Sequence, residues 1–462
     1  MSERLDEAVR ELYRIPKFTK KNSPEHTRAF LRELGDPQED FPVIHVAGSN
    51  GKGSVCVFLN EMLRGTGART GLFVSPHLTD IRERFVVDDE MCSEEEFLDA
   101  YEDVKEAVRR LQAQGLPHPT FFEILFAVGM RIFSCHRVDC AVLETGLGGR
   151  LDATNIVRRP FLTVITSISL EHTQYLGDTI PQIAGEKAGI LKPGVPAVYD
   201  ASDPEAAAVI ARRAAELGCP AVPVGPESVR IREINRKGID FSLSTAYDKK
   251  TDWTVPFPAE YQGMNAALAL TGFRILQKKG LLGAQKLTDA DLQRALSRAK
   301  WPGRMEEVLP DVYLDGAHNP DAVRAFARTV EKLCEKDEEK PLLLFAMVKD
   351  KDYRQAAQIL SSEISWDSVM VSSAADERAL PAEDLAAVFV EAAGGKFPVR
   401  AIPGAEAAWK QALAKKKEGQ KLFCAGSLYF IGELEVLAGR EIGGAGLTGR
   451  CQDCRAGRED AG

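Results

Sequence analysis

The stretch His45–Ser54, HVAGSNGKGS, joins an apolar run, PVIHVA (Pro42–Ala47), to a helical pattern, SVCVFLNEMLRGTG, closed by Gly65 or Gly67. A buried strand that ends in glycines and continues as a helix from near Ser54 is the opening unit of an α/β domain. The stretch departs from the general phosphate-loop pattern G-x-x-x-x-G-K-[ST]. Val46 holds the place of the first glycine, and Gly53 separates Lys52 from Ser54. The parts a phosphate site needs are still there. Gly48, Gly51 and Gly53 let the main chain approach phosphate oxygens with no Cβ in the way. The helix start aims backbone N–H groups at an anion, Lys52 adds a point charge, and Ser54 offers a hydroxyl to phosphate or metal. A plain strand–helix turn with a solvated lysine stays open at this point.

Other strands extend the reading. RTGLFVS, DCAVLE, FLTVITS and VPAVYD read as further buried strands, and open parallel sheets bind ligands beyond the strands' carboxyl ends. Three of those ends carry polar chemistry: Ser75-Pro76-His77, then Glu144 leading into TGLGGRLDATN, then Glu171-His172. Taken singly, each has a bland reading as a turn, a cap or a surface residue. Together, the hydroxyl of Ser75, the carboxylate of Glu144 and the imidazole of His172 make a set suited to Mg2+, which takes few protein ligands. From Ser228 to Pro258 the apolar period changes to two, which indicates an antiparallel insert turning at Lys237-Gly238. From Val312 short apolar runs alternate with amphipathic helices, the pattern of a second mostly parallel sheet covered on both faces.

The fold class is therefore α/β in two domains. The first, residues 1–299, is a P-loop-type domain with a mostly parallel sheet and a small antiparallel insert. The second, residues 300–439, is a Rossmann-like α/β domain, entered near Lys300-Trp301-Pro302-Gly303. Residues 440–462 read as a disordered tail carrying Cys451 and Cys454, and one C-x-x-C pair is too few for a four-thiolate metal site. The net charge of −9 over 462 residues argues against nucleic acid as the main partner. No apolar run approaches a membrane span, and the start MSERLDEAVRELYRI lacks a signal-peptide core, so a cytoplasmic protein is expected. Cysteines in apolar runs, Cys56, Cys140 and Cys424 among them, read as reduced thiols.

At this level of detail the chain resembles the folylpolyglutamate synthase family, especially its bacterial members that are also dihydrofolate synthases, within the Mur ligase superfamily. The resemblance rests on HVAGSNGKGS, FVSPHL, ETGLGGRLDATN, ITSISLEHTQYLGDTIPQIAGEKAGILK, GRMEEV with LDGAHNP, and CAGSLYFIGE, in order, from about Phe18 to Leu437. The family's phosphate loop has the form G-T-N-G-K-G-S. Gly48, Asn50, Gly51, Lys52, Gly53 and Ser54 match it, which accounts for the departure from the general pattern.

The resemblance implies roles for particular residues. Lys52 and Ser54 would hold the ATP phosphates; Ser75 and Glu144 would ligate one Mg2+, and Glu144 with His172 a second. Lys187 matches a lysine that the superfamily carries as a carbamate. Asn265 in YQGMN and Arg304 match positions that reach the nucleotide, and Asp315 and His318 of DGAHNP match residues that close over it. Asp152 and Ala153 match a segment that helps bind the pterin. Three positions depart from the family pattern: Ser49 for Thr, Glu171 for Asp, and Ala346 for Gly.

The implied activity is ligation of L-glutamate to tetrahydrofolate or dihydropteroate through an acyl phosphate, by a monomeric enzyme with no nucleic-acid or membrane partner. Lys52, Lys187, Arg304 and His318 would be its catalytic residues. The rival readings are a Mur-type ligase acting on a cell-wall precursor, a nucleotide-binding module without ligation, and a structural protein with a decayed site.

Overall fold

The computed structural model describes residues 2–15 and 22–444. The chain forms two compact units, one up to Trp301 and one from Pro302.

The first unit is built on eight strands: β1 (Val43–Ala47), β2 (Thr70–Phe73), β3 (Phe85–Val87), β4 (Glu90–Met91), β5 (Cys140–Glu144), β6 (Leu162–Ile165), β7 (Ala197–Asp200) and β8 (Ala221–Val224). Their order is β4-β3-β2-β5-β1-β6-β7-β8. The run from β2 to β8 is parallel, and β3 and β4 add an antiparallel edge. β1 is the centre, flanked by β5 and β6, so the chain departs from it in both directions. A crevice at the carboxyl ends of such strands is where α/β sheets bind ligands.

Side chains alternate across the sheet as strand geometry requires. Ile44, Val46, Val142 and Val164 join one core with Phe58 and Leu59 of the helix Lys52–Arg64 and Leu268 and Phe273 of the helix Tyr261–Lys279. Val43, Ala141 and Leu143 join another with Phe126 and Phe133 of the helix Phe121–His136. Each fully buried side chain of this size contributes about 2 kcal/mol. Truncating Phe58 to alanine would cost about 3–5 kcal/mol, because the cavity cannot collapse between sheet and helices.

The antiparallel insert is a separate three-stranded sheet, β9 (Val229–Asn235), β10 (Gly238–Ser244) and β11 (Lys249–Val255), in the order β11-β10-β9. Asn235 pairs with Gly238, so the turn residues are Arg236 and Lys237 and Gly238 opens the next strand, one position on from the reading of the sequence.

The second unit carries β12 (Arg304–Leu309), β13 (Val312–Asp315), β14 (Leu342–Ala346), β15 (Ser368–Val371), β16 (Val399–Ala401) and β17 (Leu422–Gly426) in the order β12-β13-β17-β14-β15-β16. All pairs are parallel except β12 with β13. Ala346, one of the departures from the family pattern, is the fully buried last residue of β14, and its carbonyl accepts from Ser427 N at 2.8 Å.

The tail expected from residue 440 needs correction, because the last helix, Leu428–Gly444, runs on through Gly439. Nothing lies within 4 Å of the position a Cβ on Gly439 would take, so this glycine faces open space on the helix and does not stop it. Residues 445–462, with Cys451 and Cys454, lie outside the described residues. The seven described cysteines are all free thiols.

Candidate active site

The loop after β1 is held in place by the protein around it. Ser49 N donates to Ser167 O at 2.8 Å, and Thr166 Oγ1 donates to Asn50 O at 2.6 Å. Ser169 N donates to Ser49 Oγ at 3.0 Å, and Asn50 Nδ2 donates to Ser169 Oγ at 3.3 Å. These contacts come from the segment that follows β6, so the two strand ends are tied together. A Cβ on Gly48 would overlap Thr166 Oγ1, and Gly51, at φ 85, would drive a Cβ into the Asn265 carboxamide. Both positions therefore require glycine. Gly51 caps a helix that begins at Lys52, slightly earlier than the sequence pattern suggests.

Two cations meet on one carbonyl. Lys52 Nζ donates to Gly48 O at 2.9 Å and Ser49 O at 3.0 Å. Lys187 Nζ, 1% exposed, donates to the same Gly48 O at 2.7 Å and to Glu171 Oε1 at 2.7 Å. Burial pulls the Lys187 pKa down to about 8, Glu171 opposes that, and Lys52 reinforces it. Burial disfavours the Glu171 carboxylate, yet Lys187 and Lys52 hold its pKa well below the usual range. The longer acid at position 171, which looked from sequence like a neighbour of His172, is the partner of Lys187. Glu186, the adjacent acid, pairs with Arg150 instead.

Two of the three metal candidates, Ser75 and Glu144, touch each other. Ser75 N donates to Glu144 Oε2 at 2.9 Å, and Glu144 is 3% exposed at the end of β5, beside Val46 of β1. His172 is the N-cap of the short helix Thr173–Leu176, at φ 45. Among the described residues no three His, Cys, Asp or Glu side chains form a metal-holding group.

Ser54 and Asn265 are linked through a residue the sequence reading passed over. Gln262 Nε2 donates to Ser54 Oγ at 3.1 Å, and Asn265 Nδ2 donates to Gln262 Oε1 at 3.0 Å. Gln262 is fully buried. A glutamine three residues before Asn265, one helical turn away on the same face, was the available signal, because a buried amide must find partners.

Asp152, 3% exposed, turns into the protein. Its Oδ1 accepts from Thr154 N at 3.1 Å and Thr154 Oγ1 at 2.7 Å, and its Oδ2 accepts from Leu147 N at 2.9 Å. It shapes the loop that follows Glu144, and its neighbour Ala153 is 8% exposed.

In the second unit, Arg304 of β12 and Asp315 of β13 are register partners. Arg304 Nη1 donates to Gly303 O at 2.9 Å. Asp315 accepts from Met305 N and Ala317 N, both at 2.9 Å, so its carboxylate braces the turn. His318 Nδ1 lies 2.7 Å from Gly316 O. A carbonyl only accepts, so Nδ1 carries a proton. Asn319 caps the helix Pro320–Cys334 by accepting from Ala322 N at 2.9 Å.

Residues 303–428 match the family described as "Mur ligase, glutamate ligase domain". The dihydrofolate synthase/folylpolyglutamate synthase of Bacillus subtilis is 34% identical over 424 residues, 90% of this chain and 95% of that protein. The chain belongs to the folylpolyglutamate synthase/dihydrofolate synthase family. The probable bifunctional folylpolyglutamate synthase/dihydropteroate synthase of Halobacterium salinarum is 36% identical over 93% of this chain, which spans about half, 51%, of that longer protein. Two solved structures of family members are also similar. Mycobacterium tuberculosis folylpolyglutamate synthase complexed with ADP has a TM-score of 0.81 at 28% identity, covering 95% of this chain and 98% of the other. The E. coli FolC structure in complex with DHPP and ADP has a TM-score of 0.79 at 27% identity, covering 95% and 98%. No helix among the described residues is long and apolar enough to cross a membrane.

Proposed function

We propose that this family member is an ATP-dependent ligase that joins L-glutamate to a pteridine carboxylate, either dihydropteroate or a reduced folate such as tetrahydrofolate. The observation that carries the reading is the pair of lysines, Lys52 and Lys187, on the Gly48 carbonyl at the mouth of a rigid glycine loop. Forming an amide from a carboxylate in water is uphill, so the carboxylate must first be activated. Its oxygen attacks the γ-phosphorus of ATP, ADP leaves, and an acyl phosphate remains. The glutamate amine then attacks the carbonyl carbon, loses a proton, and the tetrahedral intermediate expels phosphate.

The chain's own groups suit alignment and charge balance more than covalent work. The start of the helix Lys52–Arg64 and the loop N–H groups would receive the phosphates, with Lys52 exchanging its carbonyl partners for phosphate oxygens. Asn265, held by Gln262, would contact the nucleotide. Arg304 would add positive charge, and Asp315 would keep its turn in shape. With Nδ1 turned to Gly316 O, the Nε2 side of the His318 ring would take the proton released by the amine. Asp152 and Ala153 would serve the pteridine by fixing the loop between Glu144 and Thr154.

The carboxylate of Glu144, the hydroxyl of Ser75 and the imidazole of His172 are a donor set that fits Mg2+, with Ser75 and Glu144 for one ion and Glu144 and His172 for a second. So sparse a set leaves positions for phosphate oxygens and water. When bound, Mg2+ offsets charge on the transferring phosphoryl group.

Lys187 has two readings. As a carbamate, the form implied by the family resemblance, it would be an anion, and a pKa of about 8 makes the required neutral amine accessible. As a plain ammonium it would be the structural partner of Glu171, which the 2.7 Å ion pair favours.

The test is phosphate release from ATP. The ligase reading requires release to depend on both glutamate and a pteridine acceptor. Slow release indifferent to glutamate would identify a nucleotide-binding module instead.

A further inference from the structure

His45 sits in the middle of β1, the central strand, at 0% exposure, where an apolar side chain would satisfy the fold. Its Nε2 lies 2.7 Å from Thr154 Oγ1, while its Nδ1 has no partner among the described residues. Thr154, also 0% exposed, donates its only hydroxyl proton to Asp152 Oδ1 at 2.7 Å. The hydroxyl must therefore accept from His45, and the imidazole is the Nε2–H tautomer. The series runs in one direction, from His45 N–H to Thr154 O–H to the Asp152 carboxylate. Asp152 in turn takes Leu147 N at 2.9 Å, inside the glycine-rich loop that leaves β5 after Glu144. Burial, with Lys192 adding to it, lowers the His45 pKa to about 3, so the ring stays neutral.

The far end of the same segment is held independently. Asn155 Nδ2 donates to Arg150 O at 3.0 Å and Gly189 O at 3.1 Å, and Lys192 Nζ donates to Asn155 Oδ1 at 2.8 Å. The link from His45 through Thr154 therefore bears on Asp152 and, through it, on Leu147, while Asn155 is held by other groups. Leaving one imidazole nitrogen buried and unpaired works against stability, and an aliphatic residue at position 45 would avoid it.

We propose that the buried series His45–Thr154–Asp152 is a positioning device that sets the loop from Thr145 to Asp152 for the pteridine substrate. The proposal rests on the ligase reading above. His45 and Thr154 are positioning residues, since they act through Asp152 and the loop.

The test uses the full chain and steady-state phosphate release, varying dihydropteroate, tetrahydrofolate, ATP and glutamate in turn. Thr154→Val keeps the shape and removes the hydroxyl, and His45→Leu removes the donor. Each should raise KM for the pteridine roughly tenfold, as expected for one buried hydrogen bond, with KM for ATP and glutamate unmoved. His45→Gln, whose amide nitrogen reaches the place of Nε2, should restore the pteridine KM. The double variant should be no worse than His45→Leu alone, because both break one series. Unchanged pteridine KM in Thr154→Val would overturn the proposal, as would equal rises in the KM values for ATP and pteridine, or a His45→Gln enzyme as impaired as His45→Leu. If His45→Leu fails to fold, Thr154→Val decides. A wild-type enzyme that releases phosphate with neither acceptor overturns the ligase reading first, and this proposal with it.

Discussion

Glu144 is an acid at the end of an otherwise apolar strand, 3% exposed, with one oxygen engaged by Ser75 N. A carboxylate so placed is costly unless a cation answers it. If that cation is Mg2+ shared between two positions, Glu144→Ala removes a ligand from both, and His172→Ala from only one. Glu144→Ala should lower ligation on the order of a hundredfold or more, and His172→Ala less, both read as phosphate release at ordinary Mg2+. Near-normal turnover by Glu144→Ala would remove it from the site, and a harsher His172→Ala would reverse the division of ligands. Lys187 is decided by a different comparison. Under the carbamate reading, Lys187→Ala loses most activity, millimolar short-chain carboxylates partly restore it, and Lys187→Arg is not rescued, because arginine never forms the anion. Under the ion-pair reading, arginine is tolerated beside Glu171 and added carboxylate does nothing.

The unit of β1, glycine loop and helix Lys52–Arg64 gains its rigidity from the segment after β6. A methyl group on Gly48 has nowhere to go except against Thr166 Oγ1, which itself holds Asn50 O. Gly48→Ala should therefore weaken ATP binding about tenfold or more, measured by calorimetry, with the sheet intact by circular dichroism. Unaltered ATP affinity would mean the loop conformation is not the binding one. The loop was legible in the sequence because its glycines, lysine and serine are contiguous. Its fastening was not, since Thr166, Ser167 and Ser169 lie over a hundred residues away and their hydroxyls look like ordinary strand-end residues. The pairing of Glu171 with Lys187 escaped for the same reason. Among the strands, β3 and β4 have three residues and two, too few for a period to show. β8 contains Pro223, which weakens a strand signal and is tolerated because β8 is the edge.

On the scale of the whole molecule, the alternation of apolar strands with helices was enough to read two α/β units, because buried parallel strands leave continuous apolar runs that survive without any knowledge of pairing. Strand order was not readable. Nothing local in PVIHVA says that DCAVLE and FLTVITS flank it, yet that arrangement is what gathers Lys52, Glu144 and the segment after β6 at one sheet edge. The reaction, on this account, is activation of a carboxylate by phosphoryl transfer before the amine attacks. The most direct measurement follows heavy-oxygen label placed in the carboxylate of dihydropteroate or of a reduced folate during turnover with ATP and glutamate. An acyl phosphate carries one carboxylate oxygen away with the departing phosphate, so the released inorganic phosphate should contain one labelled oxygen per amide formed. Amide formed with unlabelled phosphate would contradict the account.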